Sequence, residues 1–105
     1  MVIARSTGHC EAMRGGCQIA ATEFHHRVNR GMGCAQRSGG PESCLHLCRA
    51  CHQWVTVHPK HARELGYSVL RNSIADPAEV RVRWRQRWVL LDAHGGKRDA
   101  SREAA

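Results

Sequence analysis

The sequence predicts a small α+β domain that is braced by a zinc ion. Its 105 residues are enough for one domain, and a chain of this length buries only about 60 to 65% of the surface that its unfolded form exposes. Large apolar residues are scarce, since there are one Phe, one Tyr and three Trp, whereas there are six Cys and eight His. We therefore expect a thin core that a bound metal ion supplements.

The cysteines can bind metal or form disulfides, and the cellular compartment decides between the two uses. The N-terminal stretch MVIARSTGHC has no apolar run long enough for a signal peptide, and no stretch of about 20 apolar residues could span a bilayer. We therefore expect a cytoplasmic protein with reduced thiols, in which metal ligation is the better use of cysteine. The alternative is a disulfide-rich secreted domain, which six cysteines would also suit.

Two pairs of cysteines predict one metal site. Cys48 and Cys51 are separated by two residues, a spacing that lets both thiolates reach the same tetrahedral zinc ion. Cys10 and Cys17 enclose the loop EAMRGG, whose paired glycines suit a turn around a metal. The sequence thus predicts a structural zinc site formed by Cys10, Cys17, Cys48 and Cys51. In the alternative interpretation, Cys10 and Cys17 are small buried apolar residues.

Strand and loop signals surround these pairs. Residues 18–26, QIAATEFHH, contain β-branched and aromatic residues in a broken alternation that predicts one bent strand or two short ones. Residues 27–42 contain four glycines and one proline without useful periodicity, which predicts a long loop. The apolar run from Cys44 to Leu47 predicts the next strand. Cys34 and Cys44 lie outside the zinc pattern, and we expect them to be spare thiols in the loop and on this strand.

Two short helices are expected after the second cysteine pair. HQWVTVH has a helical pattern that fades near Val57 or His58, because the residue before Pro59 avoids helical geometry. Pro59 can begin a second helix, PKHARELG, which Gly66 ends.

The C-terminal part of the chain is predicted to be β-structure. YSVLRNS, VRVRW and RWVLLD have strand patterns, and the last two form a hairpin around Arg85 and Gln86. In such a hairpin, Val82 and Trp84 face the core and the arginines take the other side. After Asp92 the sequence is polar and contains glycine, so we expect a frayed tail.

The positive charge favours a polyanionic partner. A formal net charge of +7 lets a surface release counterions from a phosphate backbone on binding, although charge alone is weak evidence. Within the hairpin, basic and aromatic residues alternate in a pattern that would also suit stacking on nucleic acid. These residues are Arg81, Arg83, Trp84, Arg85, Arg87 and Trp88.

Three histidines are the candidates for chemistry. His25 and His26 are neighbours on a predicted strand, so their side chains should point to opposite faces. One can hold a metal while the other takes a proton from water, since neutral imidazole suits either task near neutral pH. His52 follows Cys51 at a helix start that the zinc would fix. We expect the other histidines without such spacing to be solvated; they are His9, His46, His61 and His94.

The segment from Cys10 to His58 resembles HNH endonucleases of the ββα-metal (His-Me finger) superfamily, especially small phage and prophage members. That pattern has Asp-His or His-His on a strand, then a run such as Asn-Leu-x-x-Leu-Cys, then x-x-Cys-His at a helix start. Here these are His25-His26, the run SCLHLC from Ser43, and Cys51-His52. The resemblance covers about half of the chain and implies a ββα-metal finger, with the C-terminal hairpin as an extension.

The resemblance also implies a role for each site residue. His25 and His52 would bind a catalytic divalent ion such as Mg²⁺, Mn²⁺, Ni²⁺ or Zn²⁺, and His26 would be the general base. Ser43 occupies the position of the family's Asn and offers one hydroxyl in place of an amide. The position of a third metal ligand, one helical turn after His52, is Thr56.

Three further positions are less specific. His58 is the histidine nearest to Thr56, and it can serve as a ligand only if the helix breaks before Pro59. Arg27 and Arg30 follow the histidine pair and would be placed to hold phosphates, or they are ordinary exposed arginines.

The function that the resemblance implies is metal-dependent hydrolysis of DNA phosphodiester bonds. The alternative is a catalytically weakened zinc-containing module that binds DNA or assists phage packaging, with terminase as a partner. The resemblance implies a phage or prophage protein in the bacterial cytoplasm, with no membrane association. The expected organisation is an N-terminal tail (1–9), a nuclease core (10–66), a β extension of the same domain (67–92) and a flexible tail (93–105).

Overall fold

A computed structural model of the chain describes residues 2–28, 40–69 and 76–100. It contains short helices and strands in mixed order, which is compatible with the predicted α+β class. The elements are α1 (Val2–Ser6), β1 (Glu23–His26), β2 (Cys44–Leu47), α2 (Arg49–Val57), α3 (Pro59–Glu64), β3 (Val82–Trp84), β4 (Arg87–Leu91) and β5 (Lys97–Asp99). Two 3₁₀ turns, Pro41–Ser43 and Pro77–Glu79, precede β2 and β3. None of the described helices is long and apolar enough to cross a membrane.

A hairpin followed by a helix forms the first half of the domain. β1 and β2 pair antiparallel, with His25 opposite Leu45 and His26 opposite Cys44. Helix α2 follows β2 directly, because Cys48 caps it by accepting a hydrogen bond from the Cys51 amide on its sulfur. The predicted order of two strands and a helix is therefore confirmed.

The proline and glycine signals of the helices are also confirmed. Helix α2 ends at Val57, and α3 begins at Pro59. Gly66 follows α3 with a φ of +80°, and a Cβ added there would lie 2.1 Å from the Arg81 carbonyl oxygen. Only glycine fits, because β3 approaches the backbone at this point.

The second sheet has the order β3-β4-β5 and is antiparallel. Its first two strands form the predicted hairpin, and Arg85 and Gln86 have φ values of 48° and 69°. Positive φ at both central residues is the geometry of a type I′ turn, which matches the twist of a two-residue hairpin. Val82 and Trp84 are buried, as their alternation predicts.

The expectation of a frayed tail after Asp92 is wrong for Lys97–Asp99, which pair with β4 as β5. The backbone amides of His94 and Gly96 donate to Asp92 Oδ1 at 2.9 and 2.8 Å. These hydrogen bonds, that from Gly96 most strongly, hold the pKa of Asp92 below its ordinary value. The polar, glycine-containing stretch is therefore a turn that reverses the chain.

Helix α1 lies within the predicted N-terminal tail (1–9), and it docks through a buried ion pair. The Arg5 guanidinium donates to both carboxylate oxygens of Glu11 at 2.6 and 2.9 Å, and both side chains are almost completely buried. Glu11 also accepts hydrogen bonds from the His46 amide and from Trp84 Nε1, each at 2.8 Å. One carboxylate therefore connects α1, β2 and the C-terminal sheet.

The strand predicted from YSVLRNS is not present at residues 67–69, and residues 70–75 lie outside the described residues. Tyr67 instead packs in the interior with 1% exposure, and its hydroxyl donates to the Arg83 carbonyl at 2.5 Å. The core lies between the first hairpin, α2 and the second sheet. Its larger members are Leu45, Leu47, Val55, Tyr67, Val82, Trp84, Val89 and Leu91.

We predict that Glu11→Gln lowers the free energy of unfolding by about 3 to 5 kcal/mol, because it leaves the buried Arg5 guanidinium without its counter-charge. Urea titrations followed by circular dichroism would measure the change at constant metal content. Glu64→Gln is the matched control, because its partner His61 lies 3.8 Å away at the surface, and it should leave the midpoint unchanged. Equal midpoints for both variants would contradict a structural role for the pair.

Candidate functional site

The four cysteines of the predicted metal site converge. The sulfurs of Cys10, Cys17, Cys48 and Cys51 all lie within 4.8 Å of one another, and all four residues are free thiols. They come from the loop before β1 and from the start of α2. This group could hold a metal ion, and it is the only such group of three or more His, Cys, Asp or Glu side chains found in residues 2–28, 40–69 and 76–100.

The spacing of the sulfurs fits tetrahedral coordination. With metal to sulfur bonds of 2.3 Å, the edge of a regular tetrahedron is about 3.8 Å. The sulfurs of Cys17 and Cys48 are 3.8 Å apart. The donor set and its size therefore suit a single ion that accepts four thiolates.

Backbone amides surround the sulfurs as they do in metal knuckles. The amides of Gln18 and Cys51 donate to Cys48 Sγ at 3.4 and 3.3 Å, and the Ile19 amide donates to Cys17 Sγ at 3.3 Å. Burial alone would raise the pKa of Cys48, but these amides and the neighbouring thiols lower it to about 7. The N–H···S hydrogen bonds thus stabilise the thiolate form that a metal requires.

The thiols of Cys17 and Cys51 resist ionisation when no cation balances their charge. Burial raises the pKa of Cys51 and that of Cys17 above the ordinary thiol value. Four negative charges cannot coexist within a few ångströms without a cation, so metal binding must release protons from these thiols.

The expectation that Cys44 is a spare thiol is wrong, because Cys44 is disulfide-bonded. It is completely buried at the first position of β2. The prediction for Cys34 lies outside the described residues.

The structure brings two of the three predicted histidines together. The rings of His25 on β1 and His52 on α2 are in edge contact, with their centroids 5.2 Å apart. His25 Nε2 donates to the Tyr67 carbonyl at 2.7 Å, and His52 Nδ1 donates to Glu23 Oε1 at 2.7 Å. Each ring therefore has one nitrogen engaged with an oxygen acceptor, which leaves the other nitrogen with a lone pair in the neutral ring.

Burial keeps His25 uncharged. The pKa of its imidazole is lowered to about 4, chiefly because burial removes the ring from water. The hydrogen bond to Tyr67 opposes this shift, whereas positive charge on His52, His26 or Arg27 adds to it. A neutral imidazole is the form that can bind a metal or accept a proton.

His26 and Ser43 lie where the two strands of the hairpin meet their connecting segment. His26 is the last residue of β1 and is half-buried, and the strand alternation directs its side chain away from the face of His25. Phe24 shares the face of His26, and its ring stacks on His46 with a centroid separation of 4.7 Å. Ser43 is buried at the end of the 3₁₀ turn before β2, and its carbonyl accepts a hydrogen bond from the Arg27 amide at 2.8 Å.

The structure places the two candidates for a third ligand in helical contacts. The Thr56 hydroxyl donates to the His52 carbonyl at 3.1 Å. His58 stacks on Trp54 with centroids 4.8 Å apart, and its Nδ1 donates to the Trp54 carbonyl at 3.0 Å. His58 is the residue after α2 and is exposed to solvent. Its ring lies against Trp54.

Arg27 is buried, whereas the sequence predicted an arginine that holds phosphates or is exposed. It is 1% exposed, and the pKa of its guanidinium falls to about 10, chiefly because of burial. It donates four hydrogen bonds, at 2.7 to 3.0 Å, to the carbonyls of Gly66, Glu42, Pro77 and Val80. These bonds occupy the groups that would hold phosphates, so in this structure Arg27 braces loops around the site. Arg30 lies outside the described residues.

Sequence reasoning missed two partners of the histidine pair. Glu23 could have been found, because it lies two residues before His25 and alternation places both on one face. Tyr67 left no signal, since its interaction with His25 uses a backbone carbonyl from a part of the chain 42 residues away.

Comparisons with family models, with curated proteins and with solved structures gave no match to this chain. The resemblance to HNH endonucleases accordingly depends on the motif residues themselves and on their placement in the fold.

We predict that Cys48→Ser abolishes binding of the metal ion by the four-cysteine group, because a hydroxyl does not ionise at neutral pH to replace the thiolate. Native mass spectrometry of the purified protein would report one ion per chain in the parent and none in the variant. The matched control is Ala50→Ser, which adds a hydroxyl within the same turn and removes no sulfur. Full metal occupancy in Cys48→Ser would contradict the assignment.

We predict that the imidazole of His25 stays neutral until the pH falls to about 4, and that its proton resides on Nε2. Long-range ¹H–¹⁵N correlation spectra across a pH titration report both quantities, and His25→Gln identifies the resonance. A midpoint near the ordinary value of about 6.5 would show that His25 is not buried in solution, and a proton on Nδ1 would show that its contact with Tyr67 does not form.

Proposed function

We propose that the protein is a metal-dependent DNA endonuclease of the ββα-metal type, braced by a structural zinc ion at its four cysteines. The observation that supports this most strongly is the histidine pair. His25 and His52 lie in ring contact at the junction of a β-hairpin and a helix, and each has one nitrogen bonded to an oxygen acceptor.

The hydrogen bonds of the pair suit metal ligands. Histidines that bind metal nearly always donate their other ring N–H to a carboxylate or a backbone carbonyl, which fixes the tautomer and the ring orientation. Glu23 supplies such a carboxylate to His52, and Tyr67 supplies such a carbonyl to His25. In the proposal, Nδ1 of His25 and Nε2 of His52 hold a divalent ion, whose positive charge would stabilise the developing charge on a scissile phosphate.

His26 is the general base of the proposed reaction. Because it is the last residue of β1, a phosphate at the end of the strand would be within reach of side chains from both faces. Its imidazole would accept the proton of a water molecule as that water attacks the phosphorus atom, and the 3′ or 5′ oxygen would leave. A half-buried histidine keeps contact with the solvent that supplies the water.

The proposed zinc ion would orient these groups. Cys48 follows β2 directly, and Cys51 directly precedes His52. One ion bound by both cysteines and by the loop of Cys10 and Cys17 would therefore fix the start of α2, and with it His52, relative to the hairpin. Zinc is the ion that four thiolates in tetrahedral geometry favour.

A second candidate function is DNA binding without cleavage. Two observations favour it: the Thr56 hydroxyl is engaged by the His52 carbonyl, and Ser43 replaces the family's Asn and is buried. Within the described residues, no third His, Cys, Asp or Glu ligand completes a group with His25 and His52. Water and phosphate oxygens would have to fill the remaining coordination positions.

We predict that the protein nicks supercoiled plasmid in the presence of at least one of Mg²⁺, Mn²⁺, Ni²⁺ or Zn²⁺, and that His26→Ala lowers the rate by about 100-fold or more, the range of general-base catalysis. Gel electrophoresis measures the conversion of supercoiled to open circular DNA. The matched control is His94→Ala, in an exposed turn, which should keep the parent rate.

Metal content and circular dichroism of His26→Ala should equal those of the parent, so that loss of nicking reports chemistry. Equal nicking by His26→Ala and the parent would overturn the role of His26. Binding of DNA without nicking under every ion would favour the second candidate function.

A further inference from the structure

The solvent-facing side of the C-terminal sheet concentrates positive charge around one tryptophan. Alternation and strand register place five side chains on this face: Arg81, Arg83, Trp88, Leu90 and Arg98. Arg83 lies directly opposite Trp88, and Arg98 lies directly opposite Leu90. Val82, Trp84, Val89 and Leu91 alternate to the buried side of the sheet. We call the five residues the arginine face.

Trp88 organises two of the three arginines. The guanidinium carbons of Arg81 and Arg83 lie over its ring, 4.2 and 5.3 Å from the centroid. Stacking on an indole holds a guanidinium in place by cation–π attraction. Arg81 also donates to the Ala100 carbonyl at 3.4 Å. These arginines are therefore partly ordered before any partner binds.

The three strands of this sheet direct their acidic side chain away from the arginine face. The three strands β3, β4 and β5 contain one acidic residue, Asp99. It pairs with Val89, so alternation places it on the other side of the sheet from Arg98. The arginine face thus has a charge of +3 without an acidic side chain from its own strands.

Hydrogen bonds through Tyr67 connect the arginine face to the histidine pair. Tyr67 accepts a hydrogen bond from His25 on its carbonyl and donates one from its hydroxyl to the Arg83 carbonyl of β3. Because Tyr67 is buried and bonded at both ends, it fixes β3 relative to His25. A polymer held on the sheet would consequently have a defined position relative to the candidate site.

We propose that the arginine face binds the phosphate backbone of duplex DNA and so holds the substrate for cleavage at the histidine pair. The inference rests on the proposed function for its choice of polymer. Three guanidiniums on one face of the sheet, two of them ordered by Trp88, match a line of phosphates. Guanidiniums cover the Trp88 ring, so the tryptophan positions arginines and does not stack on unpaired bases.

The test compares two triple variants that lose the same charge. Arg81→Gln, Arg83→Gln and Arg98→Gln together remove the cations of the face. Arg49→Gln, Lys60→Gln and Arg63→Gln together remove three exposed cations of α2 and α3. Fluorescence anisotropy of a labelled 20-base-pair duplex, without added divalent ion and at several salt concentrations, gives the dissociation constant and its salt dependence. Circular dichroism establishes that each variant is folded.

The triple variant of the arginine face should bind the duplex about tenfold more weakly or worse. The slope of log affinity against log salt should fall by roughly 2 to 3, close to one per lost phosphate contact. The control triple should change both quantities much less. Trp88→Leu leaves the net charge unchanged. It should still weaken binding of the duplex several-fold, because Arg81 and Arg83 lose the ring on which they stack.

The outcomes separate this inference from the proposed function. Equal effects of the two triple variants, or full affinity in the face variant, would overturn the arginine face even if the parent nicks DNA and His26→Ala does not. Loss of binding in the face variant alone would support the arginine face even if the parent nicks no DNA under any ion. A parent that binds no duplex at low salt would overturn the inference outright.

Discussion

The convergence of four sulfurs is the constraint on which the first half of this domain depends. Few large apolar side chains are available, so burial alone fixes the loop of Cys10 and Cys17 and the start of α2 only weakly. Four thiolates within 4.8 Å of one another would repel, so a cation that shares their charge would stabilise this arrangement. The direction of His52 follows from that arrangement, because His52 is the residue after Cys51.

Buried charge joins other parts of the domain. Arg5 and Arg27 are both nearly inaccessible to water, and both direct their guanidiniums at oxygen atoms from distant parts of the chain. Arginine suits this task because its five fixed N–H donors can satisfy several carbonyls at once. A chain with limited apolar surface thus uses guanidinium hydrogen bonds to join loops that a larger protein would join by packing.

The sequence was informative where the signal is local. The spacing of Cys48 and Cys51, the proline and glycine at the ends of α3, and the alternation around Arg85 and Gln86 each predicted the observed element. The convergence of all four cysteines was also predictable, because Cys48 and Cys51 have the spacing of a metal knuckle and Cys10 and Cys17 enclose a loop with paired glycines.

Long-range interactions left no such signal. Arg27 follows the two histidines and is a residue type that often binds phosphate. Its guanidinium instead donates hydrogen bonds to four backbone carbonyls from three loops. The pairing of β5 and the docking of α1 likewise depend on groups far apart in sequence, namely the edge of β4 and the carboxylate of Glu11. Periodicity cannot reveal a partner that is fixed only by the assembled fold.

The hydrogen bond between Glu11 and Trp84 has a consequence for biosynthesis. The two residues are 73 positions apart, and Glu11 is completely removed from water in the finished structure. During translation, the carboxylate lacks one of its four hydrogen bonds until the tryptophan has left the ribosome, because its other donors come from Arg5 and the His46 amide. The interior around Glu11 can therefore close completely only after β3 has been synthesised.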